Sequence, residues 1–231
     1  MLKKVLNIDF LLEEKDNTFE KYEKEISSYW DQFVQKKNDV LNEDVLSVSN
    51  IEEVNDDLRI IIHWIKYSDV IYSKMVGNVK TRSLFSGGYV VTRDNYICFA
   101  VDKNDTINLI GGMASKKDLE NSIYNPDMCI VREFKEEIGL DITDDRFVFN
   151  IKYLKCPNEK EDEKAYYPVG LIYEIKTDYT KQELNDLFSV MEHDSELKFL
   201  IFLKKNEHSK LDGYAKKDYI DSLYNLIEID V

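Results

Sequence analysis

Between Arg132 and Leu140 the chain reads Arg132-Glu133-Phe134-Lys135-Glu136-Glu137-Ile138-Gly139-Leu140, its densest run of residues able to do chemistry. At 100° per helical residue, Glu133, Glu136 and Glu137 fall within an arc of about 100°, beside an apolar stripe of Ile130, Val131, Phe134 and Ile138. A solvated Glu-rich face usually carries Lys or Arg four residues after each Glu, yet those positions hold Glu137, Leu140 and Asp141. The three carboxylates therefore repel one another. Arg132 can reach Glu136 at i+4, or Glu133 beside it, and relieves only part of that repulsion. Spacing alone leaves two readings open: an ordinary acidic face, or an oxygen-ligand set for a hard divalent cation.

The flanking residues predict the element that carries them. Asn125 at the N-cap, Pro126 at the first helical position and Gly139 as the stop mark a helix over Pro126–Ile138. Upstream, Ile107 to Ile110 reads as a strand running into Gly111-Gly112, a diglycine that predicts close approach of the backbone to something else. A polar loop, Met113 to Tyr124, separates it from the helix. Before these, Leu84 to Thr92 and Tyr96 to Val101 pattern as a hairpin around Arg93-Asp94-Asn95. Beyond Gly139, strands are expected at Phe147 to Leu154, Val169 to Ile175 and Leu197 to Leu203. Helices are expected at Thr180 to Val190 and Lys216 to Leu226, with a charged insert at Asn158 to Lys164. The N-terminal third carries an aromatic amphipathic helix from Phe19, with Asn17 and Glu20 placed for a capping box. Leu41 to Val54 is mixed and short-period, whereas Arg59 to Ile65 is β-branched and fits a buried strand, and Lys66 to Asn78 reads as a short helical or irregular connector. The pattern is α/β (α+β), a mixed sheet covered on both faces. The change of rhythm near Ser83 divides the chain into an N-terminal helical/strand extension, 1–82 (helix about 18–38, strand about 59–65), and a domain over 83–231.

The run from Arg132 to Leu140 resembles the Nudix box, whose pattern is Gly, five spacers, Glu, seven spacers, then Arg-Glu-apolar-any-Glu-Glu-any-Gly-apolar. Every specified position of the second half matches. The first half departs: five spacers after Gly112 lead to Asp118 instead of Glu, and thirteen residues separate Asp118 from Arg132, an insertion of six. Glu120 is an alternative match. The resemblance implies a Nudix-type α/β/α sandwich over about Ser83 to Leu226, holding Mg²⁺ or Mn²⁺ against a diphosphate. Carried over, Glu136 and Glu137 are principal metal ligands, Glu133 a ligand or general base, Arg132 the group that orients it, and the Gly112 carbonyl a further oxygen. A later glutamate often completes such sites. Glu196 is preferred to Glu192 because it immediately precedes a strand, with an ordinary exposed glutamate as the competing reading.

Composition narrows the partners. A formal charge of -14 on 231 residues opposes long nucleic acid, while leaving room for a small phosphorylated ligand bridged by a cation. Cys98, Cys129 and Cys156 share no metal spacing and read as buried free thiols; His63, His193 and His208 are dispersed, with His63 a core or edge residue. Gly87-Gly88 lacks the rest of a dinucleotide fingerprint and reads as a bulge or tight packing point. Neither an export signal nor a membrane-length apolar run is present, so a cytoplasmic location is expected. The expected activity is metal-dependent hydrolysis of a nucleoside diphosphate linked to another group: a sugar nucleotide, ADP-ribose or a dinucleotide. Its rivals are a nucleoside triphosphate pyrophosphohydrolase and a non-catalytic nucleotide sensor of the same fold. RNA decapping is disfavoured by the absence of a basic cluster. The aromatic N-terminal helix offers core packing or, as a second use, a surface for a homodimer.

Overall fold

Among the described residues, a large mixed sheet of nine strands and a small one of three carry most of the β-branched and aromatic runs, and a two-stranded hairpin forms a third sheet. The computed structural model describes every residue except 6, 14–16, 38–39, 56, 195 and 230–231. The N-terminal segment supplies β1 (Leu2–Lys4), β2 (Ile8–Leu12), α1 (Glu23–Val34), β3 (Asp44–Val54), β4 (Asp57–Lys66) and α2 (Tyr67–Val76). In the small sheet β4 is central, parallel to β2 and antiparallel to β3. The mixed, short-period stretch 41–54 assigns no element by itself; it forms β3, whose alternation is interrupted by a register shift between Val48 and Asn50. The expected capping box at Asn17 is absent: the Glu20 amide donates to the Asn17 backbone carbonyl, and α1 starts three residues later without a side-chain cap. Its aromatic stripe packs on α2, with Tyr29 and Tyr22 rings 5.6 and 5.7 Å from Tyr72 and Trp30 6.0 Å from Tyr67. Position 38, the end of the helix expected there, lies outside the described residues.

The large sheet is built from β1 and the remainder of the chain. First come β5 (Leu84–Val91), β6 (Ile97–Asp102), β7 (Thr106–Asn108) and β8 (Ile110–Met113). The short hairpin β9 (Leu119–Glu120) and β10 (Ile123–Tyr124) leads into α3 (Pro126–Ile138). After it follow β11 (Phe147–Lys155), α4 (Glu159–Asp162), β12 (Val169–Thr177), α5 (Lys181–Val190), β13 (Leu197–Leu203), β14 (Ala215–Lys216) and α6 (Ile220–Leu226). The strand order is β1-β11-β12-β5-β6-β7-β14, with β13 on β6 and β8 on β5. β5 is the pivot: β12 lies parallel along one side, while on the other its first half pairs with β8 and its end with β6. That change of partner explains why the strand expected over 107–110 is two, since β7 follows β6 and β8 turns to β5. The loop expected at 113–124 contains a 3-10 turn, Lys116–Asp118, and the β9–β10 hairpin. The closing helix is shorter than expected, because Lys216 belongs to β14.

Alternation along β5 sends Leu84 and Val90 to the face covered by α3 and α5, and Tyr89 and Val91 to the face covered by α6. Helices thus cover both faces, as the expected α/β/α layering requires. α3 has the expected bounds: Asn125 accepts from the Asp127 amide at 3.0 Å, and Gly139 stops the helix at φ 73°. It seats close to the sheet because β5 has glycine beneath it. A Cβ on Gly88 would lie 2.4 Å from Ile175 Cδ1 and 3.2 Å from the Phe134 ring, so this is the tight packing point. All three cysteines are buried free thiols. No helix among the described residues is long and apolar enough to cross a membrane.

The N-terminal strands share this core. Val5, Leu46, Ile60 and Ile62 belong to the same buried cluster as Ile130 and Phe134 of α3. β1 extends the large sheet through β11, and the Leu46 amide donates to the Ala114 carbonyl at 3.0 Å. The full chain is accordingly expected to unfold in urea in one transition. Ile62→Ala, at a fully buried position, is expected to move that whole transition by about 2–5 kcal/mol. Two separated transitions, only one of them sensitive to Ile62, would contradict a shared core.

Candidate functional site

One guanidinium organises the start of the site. Arg132 Nε and Nη2 donate to the two carboxylate oxygens of Asp118 at 2.8 and 3.0 Å. Its Nη1 donates to Glu133 at 2.6 Å and to Glu136 at 3.0 Å, and Nη2 also reaches the Met113 carbonyl at 3.3 Å. Asp118 is fully buried and accepts from the Ser115 amide at 2.8 Å. Between the two acidic residues that fit the first half of the box, the fold therefore pairs Asp118 with Arg132. Glu120 is exposed and accepts from Asn125 instead. The inserted residues form the β9–β10 hairpin, which leaves and rejoins the chain through paired strands; the Asn125 amide donates to the Asp118 carbonyl at 3.0 Å.

Glu133 and Glu137 press against the diglycine. A Cβ on Gly112 would lie 2.5 Å from both carboxylate oxygens of Glu133, and the Gly111 amide donates to Glu137 at 2.7 Å. Gly111 has φ 150° and lies so close to Ser86 that any side chain would meet its carbonyl. The expected close approach is thus to the helix carboxylates on one side and to β5 on the other. Both glutamates are buried, and burial pushes their carboxyls up, Glu133 to about 7 against the pull of Arg132 and Glu137 to about 9 against the Gly111 amide. The charges of Glu133, Asp194 and Glu196 add to the shift at Glu137. Glu136, half exposed, is turned to Arg132.

The loop before β13 completes this acidic edge. The Asp194 amide donates to the Glu136 carbonyl at 2.8 Å, and the Glu196 amide donates to the Asp194 side chain at 2.9 Å. Glu196 and Asp194 act on Glu137 electrostatically; Glu192 instead brings its carbonyl against the helix stop at Gly139. Asp194 was not singled out from the sequence, where its only signal is its position two before Glu196. Burial raises the Tyr67 hydroxyl's pKa, with Tyr166 and Glu196 adding to the shift. Among the described residues no three His, Cys, Asp or Glu side chains stand as a ready ligand set. Glu133 and Glu136 are turned to Arg132, and Glu137 to the Gly111 amide. Donor chemistry nonetheless fits a hard divalent ion: hydrogen-bonded carboxylates and a backbone that approaches them only because residue 112 has no side chain.

A cavity of about 360 Å³ adjoins the diglycine, lined by Gly111, Gly112 and Met113 and walled by Phe85, Tyr167 and Tyr219. Lys155, Lys164, Lys217 and Asp218 supply its charges. None of these four carries a sequence signal, since they come from three separate stretches of the chain: the end of β11, the segment after α4 and the segment between β14 and α6. A larger cavity, about 820 Å³, lies between the two sheets and includes the buried His63, but no member of the glutamate cluster. His193 stacks on Phe188 with ring centroids 4.4 Å apart.

No family model matches the sequence, and no curated protein matches it. Solved structures do. A Nudix-family hydrolase from Clostridium perfringens is 15% identical with a TM-score of 0.39, covering 62% of this chain and 93% of that one. The Nudix domain of Shewanella oneidensis NrtR, solved with ADP-ribose, is 11% identical with a TM-score of 0.43, covering 63% and 85%. The dihydroneopterin triphosphate pyrophosphohydrolase of E. coli is 12% identical with a TM-score of 0.39, covering 64% and 95%. Similarity at this level decides nothing about chemistry, which the side chains themselves have to carry.

Breaking the buried Asp118–Arg132 pair is expected to be costly. Asp118→Ala should destabilise the chain by about 3–5 kcal/mol, and Glu120→Ala by no more than about 0.5 kcal/mol, both read from urea unfolding. Equal effects would remove Asp118 from its assigned place. The raised carboxyls make a second prediction. Unfolded, both glutamates titrate near 4.5, so the stabilisation from keeping their protons is complete below that pH and is lost as pH rises to about 7 and then 9. The Tm of metal-free protein should fall between about pH 5 and 8, and Glu137→Gln should flatten the fall; an unchanged slope in that variant contradicts the assignment.

Proposed function

We propose that this chain is a divalent-metal-dependent pyrophosphohydrolase of the Nudix type. Its substrate is the diphosphate of a nucleoside diphosphate linked to a second group. The observation that carries this reading is the contact of Glu133 and Glu137 with Gly111-Gly112, on a ribbon that also borders a cavity with aromatic walls. Buried, mutually repelling carboxylates are costly unless a cation or protons neutralise them, and the aromatic walls suit a nucleoside.

Glu136, Glu137 and the Gly112 carbonyl would hold Mg²⁺ or Mn²⁺, with Glu196 reaching in from the loop before β13. When bound, the ion supplies neutralisation of the diphosphate and activation of water. The remaining work belongs to the protein. Arg132 holds Glu133 at 2.6 Å and fixes the direction of its carboxylate. Glu133, with its carboxyl near neutrality, accepts the proton of the attacking water as the oxygen–phosphorus bond forms and the anhydride bond breaks. Gly112 keeps backbone and carboxylate in contact, so that a substrate phosphate lying along the ribbon meets Glu133. Retention of all three helix glutamates favours turnover over simple sensing of a nucleotide.

The test is a panel of sugar nucleotides, ADP-ribose, dinucleotides and nucleoside triphosphates with Mg²⁺ or Mn²⁺, with products identified. Glu133→Gln is expected to lower kcat by about 100-fold or more on the accepted substrate, and Glu136→Gln and Glu137→Gln to raise the metal concentration needed for half-maximal rate. Measurable nucleotide binding with no turnover on any member of the panel would replace the enzyme by a sensor.

A further inference from the structure

Positive charge gathers around the cavity beside Gly111-Gly112 in a chain whose formal charge is -14. Lys155, Lys164 and Lys217 face a single lining carboxylate, that of Asp218. Several lysines elsewhere are ion-paired: Lys3, Lys80, Lys116 and Lys198 have carboxylate oxygens at 2.7, 2.6, 2.7 and 2.6 Å. Among the described residues, none of the three cavity lysines has a carboxylate in ion-pair contact.

Lys155 is the demanding case. It stands at the end of β11 and is only 2% exposed. Its ammonium donates to the Pro168 carbonyl at 3.1 Å and lies 3.7 Å from the Tyr167 ring centroid. Burying an ammonium without a carboxylate partner is costly, and the carbonyl and ring compensate only in part. Burial lowers its pKa to about 8, opposed by Asp218 and Glu161, so it remains protonated at neutral pH. An ammonium has three donors; one goes to the Pro168 carbonyl, and the Tyr167 and Tyr219 rings, 3.7 and 5.4 Å away, offer only the weaker cation–π contact. Asp218 itself already accepts from the Tyr167 hydroxyl at 3.2 Å. What fits the remaining capacity is an oxyanion.

We infer that this cavity is a phosphate subsite in which Lys155, with Lys164 and Lys217 at its rim, receives phosphate oxygens while Phe85, Tyr167 and Tyr219 flank the attached organic group. This deepens the pyrophosphohydrolase reading and rests on it for the identity of the oxyanion. It also gives the substrate a second hold that needs no cation, separate from Glu136 and Glu137.

Calorimetry on the full chain in excess EDTA tests it without requiring turnover. The probes are the four common ribonucleosides, their 5′-monophosphates and inorganic pyrophosphate. At least one monophosphate should bind about tenfold or more tightly than its nucleoside, the value of one charge-assisted hydrogen bond to phosphate. Lys155→Met should abolish that ratio. Lys164→Gln with Lys217→Gln, both at exposed positions that leave folding intact, should reduce it several-fold and decides the matter if Lys155→Met does not fold. Binding of pyrophosphate alone would assign the subsite to the scissile diphosphate; binding of a monophosphate without pyrophosphate would assign it to a phosphate carried in by its nucleoside. Equal affinity for nucleoside and monophosphate, an unchanged ratio in the lysine variants, or no binding by any probe would overturn the inference. Retained phosphate binding with no hydrolysis would discard the enzyme and leave the subsite standing.

Discussion

Four carboxylates, from Asp118, Glu133, Glu136 and Glu137, gather beside β8; Glu133 and Glu137 press on its two glycines, and one guanidinium is shared among Asp118, Glu133 and Glu136. That imbalance of charge is the constraint on which the site depends. Arg132 has its donors divided between Asp118, Glu133, Glu136 and the Met113 carbonyl, leaving Glu137 to the Gly111 amide. Protons at Glu133 and Glu137, whose carboxyls burial pushes up, make the arrangement tolerable near neutral pH.

The backbone around the cluster is shaped by the same closeness. Gly112 admits the Glu133 carboxylate, Gly111 passes beside Ser86, and Gly88 lets Phe134 and Ile175 meet under α3. Side chains at these points would push the helix off the sheet and the carboxylates off the ribbon. The N-terminal strands then close the other end of the helix layer. Leu46 bonds to Ala114, Val45 bridges Ser115, and Met113 packs at the edge of the cluster formed by Phe19, Ile26 and Tyr72. The segment after the diglycine is therefore held by residues far upstream, so the geometry of the ribbon is a property of the whole chain.

Much of this was legible because it is local. The bounds of α3 follow from Asn125, Pro126 and Gly139, and the shared edge of Glu133, Glu136 and Glu137 follows from helical pitch. Burial of the cysteines and the tight packing at Gly87-Gly88 likewise needed only neighbouring residue types. Strands such as β4, β6 and β13 were readable from continuous apolar runs. β1 and β2 were not, being short edge strands whose stability comes from β11 and β4 rather than from their own pattern. β3 was hidden by its register shift, and the bonds at Asn17 join backbone groups where side-chain types had suggested a cap.

The sequence by itself determined a capped helix whose three glutamates cannot neutralise one another, because pitch, caps and i+4 neighbours are set by residues within one or two turns. Only the tertiary structure decided that Asp118, not Glu120, meets Arg132 across a hairpin. It alone showed that Glu133 and Glu137 turn to Gly111-Gly112, and that Lys155, Lys164 and Lys217 share a cavity beside them. These residues lie on separate elements, and their meeting is fixed by sheet register and core packing, which no local spacing records.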